Sequence, residues 1–503
     1  MERWVVFAIV AILVASQTAV ASPSADLVLL KDDLEECTIG VADGSVTPDG
    51  RPLLWKVRDI GQEATRQQLV YISGSPYNQI GVCTEGEGIY MGLNEAAVAS
   101  GNSLVKLTSA SAPNSSVQSY ILRSFGTVDE VSDYFWSGKQ AGACTASGCF
   151  PFIDALGNAT ILEVNRSVQI WEYDSLDPDR EDQGLYGFVV RANEFHMRTD
   201  GRDNTSIGGR YACGVHNVLG LIAGGGLTVA GLIQGAGDSR DYHEFLRYGP
   251  GRELETISRP TTQSAVVVHG VLPDEDPALA TMWVLLGQTN YSIAVPTWAR
   301  VAKVPECLRS GLMYDRARSL WAKGEEQTTQ ASVFPLEAHL LYMVTEILLP
   351  HWRASGVPTV EEMTRIEARM ADDAYNLLDC LDNRRNDNQA PTVSLEASTD
   401  GLTLTFSAAA DDPDGTVVAT IWDFGDDCYS ADPAGLHVYR EPGIYLVSCT
   451  VTDDCGVSVT DWRHCEIRVG TDLVDVTEPG LEEEHEESSR RRAGSEMIGV
   501  LIP

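Results

Sequence analysis

The sequence predicts an α+β domain followed by a small β-sandwich. Upstream of residue 382, short β-type runs such as ATILEV and SAVVVHG coexist with helical patterns such as YMVTEILLPHWRA. The absence of a regular βαβ alternation favours separate layers of sheet and helix. After the polar segment DNRRNDNQAP, strand-like runs are separated by Asp, Gly and Pro turns, which is typical of a sandwich. A chain of 503 residues is long enough for both cores.

The first 21 residues are typical of an export signal. Arg3 precedes the apolar stretch WVVFAIVAILVA, which is too short for a comfortable membrane span, and AVA ends at Ala21 as a small-residue cleavage site. An uncleaved anchor is the alternative. We expect a signal peptide over 1–21, a short propeptide over 22–36, and a secreted or cell-surface product without a stable membrane span.

The charge of the chain bears on its partners. The formal net charge is −36 and the pI is about 4.5. Nucleic acid is therefore not an expected partner, because a phosphate backbone is bound by Lys and Arg. The C-terminal segment 471–503 combines a charge run with a short apolar end, and we expect it to be a disordered acidic tail.

Cys37 is the candidate nucleophile. The sequence has no G-x-S-x-G, H-E-x-x-H or Walker motif, and its histidines form no pair at metal-ligand spacing, so we expect neither metal nor cofactor. Cys37 opens a β-type run, CTIGVA, and a turn, TPDGRP, leads to LLWKVRD. This hairpin would bring Asp59 back beside Cys37, with Lys56 or Arg58 favouring thiolate.

A new chain terminus at Cys37 would supply its own base. An α-amine titrates at about 7.7–8.0, so near neutral pH it can accept the thiol proton, directly or through water. His196 is a second candidate base, although a packed or capping role is the alternative for it. Cys37 itself could instead be half of a disulfide. The count of 11 cysteines is odd, and parity alone favours Cys37 as the unpaired one: without it, six cysteines remain before residue 382 and four after it.

The same residues resemble the N-terminal nucleophile (Ntn) cysteine hydrolases that cleave linear amides, a group with penicillin acyltransferase-like and bile-salt hydrolases. In that group a basic residue, commonly Arg, precedes an Asp by three positions, as Lys56 precedes Asp59. MGLNEAAVASGNS is similar to its GxNExGLxxxGxN segment and places Asn102 at the oxyanion-hole Asn. VVRANEFHM is similar to its TNxF segment and places Asn193 at the second active-site Asn. A later Arg of the family falls near GDSRDYHEFLR, where Arg240 fits.

The resemblance implies a four-layer αββα domain over 37–381 and self-cleavage between Glu36 and Cys37. It also implies an acyl-thioester on Cys37, formed from a small amide or peptide substrate and passed to water or to another amine. A related Ntn dipeptidase is the alternative enzyme, since CTIGVADGSVTPDG is also similar to the opening of that family. A non-catalytic extracellular binding protein on the same scaffold is the alternative from another class.

The C-terminal part resembles the PKD domain, an immunoglobulin-like extracellular module. WDFGD followed by a YREPGIYLVSCTVTD strand carries the resemblance. We expect a linker over 382–390 and the PKD domain over 391–470, acting as a spacer or binding extracellular protein or polysaccharide. Cys449 and Cys465 lie on successive strands of an expected hairpin and could pair, which would leave Cys428 and Cys455 as a loop pair.

Overall fold

The computed structural model describes most of both predicted domains. Several predictions lie outside the described residues: the predicted signal peptide over 1–21, the predicted propeptide before Glu36, Arg240 and the predicted tail over 471–503. The described ranges are 36–60, 65–105, 114–141, 146–165, 170–177, 186–193, 195–196, 209–234, 257–324 and 326–468.

The first sheet of the upstream domain has six antiparallel strands in the order β10-β1-β2-β11-β12-β13. Strand β2 is buried at every position, so both faces of this sheet are covered, and its runs of apolar residues fit that environment. The bounds are β1 Glu36–Ala42, β2 Leu53–Asp59, β10 Phe188–Arg191, β11 Thr262–His269, β12 Thr281–Leu286 and β13 Val295–Thr297.

The second sheet is an antiparallel meander of seven strands in sequence order, β3 to β9. Strands β6, β7 and β8 contact β1 and β2, so this sheet lies against one face of the first. The bounds are β3 Gln67–Ile72, β4 Gln79–Thr84, β5 Ile89–Asn94, β6 Ala99–Gly101, β7 Gly148–Ile153, β8 Ala159–Val164 and β9 Ile170–Asp174.

Helices pack outside both sheets. Helices α1 and α2 cover the seven-stranded sheet, where Phe135 packs against Phe150 and Phe152. Later helices contact β1, β10, β11, β12 and β13 of the six-stranded sheet. The mixed helix-and-sheet character predicted for this domain is therefore confirmed. The bounds are α1 Asn114–Ser124, α2 Val128–Gln140, α3 Gly209–Ala223, α4 Val229–Ile233, α5 Glu306–Arg309, α6 Leu312–Lys323, α7 Glu326–Tyr342, α8 Leu349–Ser355 and α9 Val360–Asn383, with 3₁₀ turns at Pro277–Leu279 and Thr289–Tyr291 and a π-helical turn at Met343–Leu348.

One helical run among the described residues, Glu326–Ser355, is long and apolar enough to cross a membrane by length and composition. Within its most apolar window, 56% of the residues are buried inside the protein. Core helices of globular proteins pass the same test, and α7 packs against β13 and α9.

The C-terminal domain is a sandwich of two antiparallel sheets, as the sequence predicts. A three-stranded sheet, β14-β15-β18, faces a four-stranded sheet, β17-β16-β19-β20, across a core that contains Phe406, Trp422 and Tyr439. The bounds are β14 Thr392–Asp400, β15 Thr403–Asp411, β16 Val417–Asp423, β17 Tyr429–Ser430, β18 Ala434–Val438, β19 Gly443–Asp453 and β20 Ser458–Ile467.

Both predicted cysteine pairings in the sandwich are wrong. Cys455 is bonded to Cys380 of α9, so it is not the partner of Cys428. Cys449 lies opposite Asp461 in the β19–β20 ladder, and Cys465 lies opposite Tyr445. Cys449 is four residues along β19 from Tyr445, the residue opposite Cys465, and four residues of strand span about 13 Å. This is well beyond the Cα separation of about 7 Å that a disulfide tolerates.

The observed disulfide joins the two domains, so cysteine parity within each predicted domain was no guide to the pairing. It adds to polar contacts between the upstream helices and the sandwich. Arg365 Nη1 donates a hydrogen bond to Asp423 Oδ2 at 2.6 Å, and His339 Nε2 lies 2.7 Å from the Thr460 carbonyl oxygen. The first two residues of the predicted linker belong to α9, which ends at Asn383.

Candidate active site

The hairpin formed by β1 and β2 positions Cys37. In its ladder Glu36 lies opposite Asp59, and Cys37 lies opposite Arg58. The hairpin therefore brings Asp59 back to the Glu36–Cys37 peptide bond, but opposite Glu36, so its side chain projects from the face opposite to that of the Cys37 thiol. Cys37 is fully buried in the chain that still carries Glu36.

Strand β10 brings Asn193 to the other side of Cys37. Arg191 pairs with Ile39, so Asn193, two residues further on, faces Cys37. The backbone N–H of Cys37 donates to Asn193 Oδ1 at 2.7 Å. Asn193 Nδ2 donates in turn to the Leu104 carbonyl oxygen at 2.6 Å, which ties the loop after β6 to the same point. Two of the predicted site residues, Cys37 and Asn193, are thus in direct contact.

Arg210 is a buried member of this group that the sequence reasoning missed. Its Nη1 donates to the Cys37 carbonyl oxygen at 3.1 Å, and its Nη2 donates to Asn193 Oδ1 at 2.8 Å. Arg210 belongs to α3, and its acceptors lie on other segments of the chain, so no local pattern in the sequence singles it out.

Lys56 and Asn102, two more of the predicted site residues, are in contact with each other. Lys56 Nζ donates to Asn102 Oδ1 at 3.0 Å and to the Tyr90 carbonyl oxygen at 3.3 Å, and both side chains are fully buried. Because Oδ1 accepts from Lys56, the amide of Asn102 is oriented. Within the described part of the chain, its Nδ2 is a buried donor with no hydrogen-bond acceptor.

Lys56 shares a face of the hairpin with Cys37. It lies opposite Ile39, and side chains two residues apart along a strand project from the same side. The face that carries the Cys37 thiol therefore also carries the Lys56–Asn102 pair. Arg58 is on this face too, with its guanidinium 3.7 Å from the Tyr90 ring centroid and 2.9 Å from Thr84 Oγ1.

Asp59 is held by the neighbouring strand. Thr262 Oγ1 donates to Asp59 Oδ1 at 2.6 Å, and Arg259 Nε lies 3.9 Å from Oδ2. These contacts fix a buried carboxylate next to the Glu36–Cys37 peptide bond. A carboxylate there can orient a terminal amine or balance the cations of the site.

His196 has the features of a packed histidine. Its backbone N–H donates to Glu163, which forms a buried ion pair with Arg191 at 2.7 Å. Its ring packs edge-on against Tyr211. Burial, with the charge of Arg191, lowers the pKa of His196 well below its usual value, so the ring is neutral near pH 7.

Comparison with known proteins identifies the C-terminal domain. The family model of the PKD domain matches residues 388–468. This part of the chain is a PKD domain. The chain is 38% identical over 81 residues to the pre-pro-metalloprotease PrtV of Vibrio cholerae, and 32% identical over 120 residues to the collagenase ColQ1 of Bacillus cereus. These matches cover 16% and 23% of this chain, but only 9% and 12% of those relatives.

Two solved structures are similar to parts of the chain. The PKD1 domain of Vibrio anguillarum Epp is 40% identical, with a TM-score of 0.16, and the match covers 16% of this chain and 98% of that one. Penicillin V acylase from Agrobacterium tumefaciens is 12% identical, with a TM-score of 0.33, over 52% of this chain and 86% of that one.

Proposed function

We propose that the upstream domain is an Ntn-type cysteine hydrolase that cleaves a linear amide bond, with Cys37 as both the mature N-terminus and the nucleophile. The observation that carries this proposal is the 2.7 Å hydrogen bond from the Cys37 backbone nitrogen to Asn193 Oδ1. That nitrogen becomes the free amine when the bond after Glu36 is cut. The layer order of helix, sheet, sheet and helix is the one that the Ntn resemblance implies.

The surrounding groups suit an amine that acts as a base. Asn193 Oδ1 accepts from the nitrogen of Cys37, so it can hold the amine with its lone pair directed elsewhere. The guanidinium of Arg210 contacts both Asn193 and the Cys37 carbonyl oxygen. A cation at that position disfavours a second positive charge on the amine, which keeps the amine able to accept the thiol proton.

Asn102 is suited to stabilise the oxyanion. Its Nδ2 is a buried donor without an acceptor in the described residues, while Lys56 fixes the other end of the amide. Donors of this kind, placed in advance, contribute roughly 10²–10³ each to the rate of acyl transfer. Lys56 occupies the position of the family's Arg. A single ammonium group is sufficient here, because it donates to two separate oxygens and not to the paired oxygens of one carboxylate.

The reaction balances with these groups alone. The amine takes the thiol proton as Cys37 Sγ attacks the amide carbonyl, and the proton passes to the departing amine when the C–N bond breaks. Water then hydrolyses the thioester to a carboxylic acid and regenerates the thiol. Maturation would use the same thiol: it attacks the Glu36 carbonyl carbon, the acyl group moves from nitrogen to sulfur, and water releases the segment ending at Glu36. Arg240, the family's expected Arg, stays a prediction.

N-terminal analysis of the secreted protein tests this proposal. We expect a mature chain that starts at Cys37, and we expect Cys37→Ala to stay unprocessed and inactive. Cys83→Ala is a matched control, because Cys83 is also a buried strand cysteine and burial raises the pKa of its thiol. A mature wild-type chain that starts at Ser22, or unchanged amide turnover in Cys37→Ala, would contradict the proposal.

The substrate class separates this activity from its nearest alternative. Turnover of N-acyl amides without turnover of dipeptides supports the linear-amide hydrolase, and the reverse result supports a related Ntn dipeptidase. Competition by a second amine for the acyl group distinguishes transfer from hydrolysis. We propose secretion on the strength of the signal-like N-terminus and of the PKD domain, which also occurs in the metalloprotease and collagenase relatives.

A binding protein without catalysis is the second candidate. The PKD domain favours it, because this is the part of the chain whose family is shown. In that case the module would bind an extracellular protein or a polysaccharide, and the upstream domain would be a scaffold. No turnover on either substrate panel, together with no labelling of Cys37 by a thiol-directed probe, would support the binding protein over the enzyme.

A further inference from the structure

A hairpin loop of the PKD domain lies beside a histidine of the opposite sheet. Strands β16 and β17 pair through Trp422–Ser430 and Asp423–Tyr429, which leaves residues 424–428 as the loop. His437 belongs to β18 in the other sheet. The rings of Phe424 and His437 are stacked with centroids 4.1 Å apart, and this contact fixes the loop against the strand.

Three different ligand types meet at this point. A carboxylate oxygen of Asp426, the thiol of Cys428 and a ring nitrogen of His437 all lie within 4.8 Å of one another. His437 Nε2 is 2.8 Å from Asp426 Oδ2, and the other oxygen of Asp426 accepts from the Cys428 backbone at 3.2 Å. Asp427 between them has a left-handed φ of 64°, which sharpens the loop. The backbone therefore holds the three groups close together without any ion.

We propose that Asp426, Cys428 and His437 bind a thiophilic divalent cation such as Zn²⁺. Thiolate, imidazole and carboxylate are the side chains that Zn²⁺ selects, and three of them leave a fourth tetrahedral position. Cys428 is exposed, so that position is open to water or to a side chain of a partner. Binding displaces the thiol proton to solvent and forms a metal–sulfur bond with no change of oxidation state.

The electrostatics favour a cation at this site. The carboxylates of Asp426 and Asp427 both act electrostatically on the Cys428 thiol, and two negative charges at one loop attract a cation. The chain as a whole carries a net charge of −36. An ion at this point would connect the two sheets of the sandwich, because Asp426 and Cys428 follow β16 while His437 lies on β18. The proposal is independent of the chemistry at Cys37.

Protection of one thiol tests the site in the full-length secreted protein. After metal removal by a chelator, Cys428 is alkylated with iodoacetamide with and without added Zn²⁺, and mass spectrometry of its peptide gives the rate. We expect Zn²⁺ to slow the alkylation about tenfold or more. Asp426→Asn and His437→Gln should each raise the zinc concentration needed for this protection by about tenfold. Changes around metal ligands typically alter metal affinity on that scale.

Asp432→Asn is the matched control, because Asp432 is an exposed carboxylate close in sequence that does not belong to the three ligands. It should keep full protection. Added Co²⁺ should give a thiolate charge-transfer band that is lost in Cys428→Ser. Equal alkylation with and without Zn²⁺, protection that persists in both ligand variants, or a Cys428 that cannot be alkylated even without metal would each overturn the proposal.

Discussion

Glu367 allows a quantitative test of the upstream core. It lies on α9, is fully buried, and accepts from the Trp298 backbone at 3.3 Å through Oε2. The Thr297 side chain is another polar group that faces this carboxyl. Burial raises the pKa of Glu367 from 4.5 to about 8, so the folded protein holds this group protonated at neutral pH. Replacement by Gln keeps the shape and the acceptor while it removes the titration.

The size of the effect follows from the two pKa values. An unfolded chain releases the proton near pH 4.5 and the folded chain near pH 8, so the contribution of Glu367 to stability falls as pH rises between them. At pH 7 the difference is 2.5 pH units, or about 3 kcal/mol at 1.36 kcal/mol per unit. A Gln side chain does not titrate, so it carries none of this free-energy cost. Glu367→Gln should therefore stabilise the protein by about 3 kcal/mol at pH 7 and by almost nothing at pH 4.5.

Urea unfolding of the two proteins at pH 4.5, 6, 7 and 8 measures this difference. The gain should grow with pH across the series. Glu361→Gln is the control on the same helix, because Glu361 is exposed, and its difference should stay flat. A gain for Glu367→Gln that does not depend on pH, or a loss at pH 8, would refute the assignment of Glu367 as a buried protonated acid.

Three further predictions concern the site and the domain junction. Arg210→Lys should slow the appearance of the Cys37 terminus about tenfold to a hundredfold, since it loses at least one charge-assisted bond; an unchanged processing rate on a time-resolved gel would contradict this. Loss of the Cys380–Cys455 disulfide, which spans 75 residues, should destabilise the protein by about 4 kcal/mol in denaturant unfolding of the double Ser variant; equal midpoints would speak against it. Burial and His351 lower the pKa of His464 to about 3, so the free energy of unfolding should decrease as pH drops below 6.5, because the unfolded chain takes up a proton that the folded chain does not. The decrease should be smaller in His464→Gln, and melting temperatures that fall equally in both proteins between pH 7 and pH 4 would count against this.

The sequence anticipated the parts of the site that local chemistry determines. The β1–β2 hairpin was predictable because a single turn joins its strands, and that turn sets the register that places Asp59 next to Glu36. The resemblance assigned Lys56, Asn102 and Asn193 to one site with Cys37 but did not pair Lys56 with Asn102. The structure brings Asn193 into contact with Cys37, and Asn102 into contact with Lys56. The PKD domain was predictable because its strands and turns follow one another closely along the chain.

Contacts between segments that are distant along the chain could not be predicted from the sequence. Arg210 meets Cys37 across 173 residues, and nothing in GGRYACG indicates which carbonyl its guanidinium would reach. The Cys380–Cys455 bond depends on how the sandwich docks on α9, which the strand pattern of either domain leaves open. Cysteine parity failed for the same reason, because it assumes that each domain satisfies its own thiols.

The order of strands gives the proposed maturation a physical logic. Strand β1 lies between β10 and β2, so Cys37 has Asn193 on one side and Arg58 on the other. Arg210 and Asn193 hold its carbonyl and its nitrogen, and neither contact needs Glu36. A cut before Cys37 would therefore leave the new terminus in place while it removes the residue that lies opposite Asp59. Since the thiol is fully buried in the uncut chain, we expect that departure both to create the amine and to open the path by which a substrate carbonyl reaches Sγ.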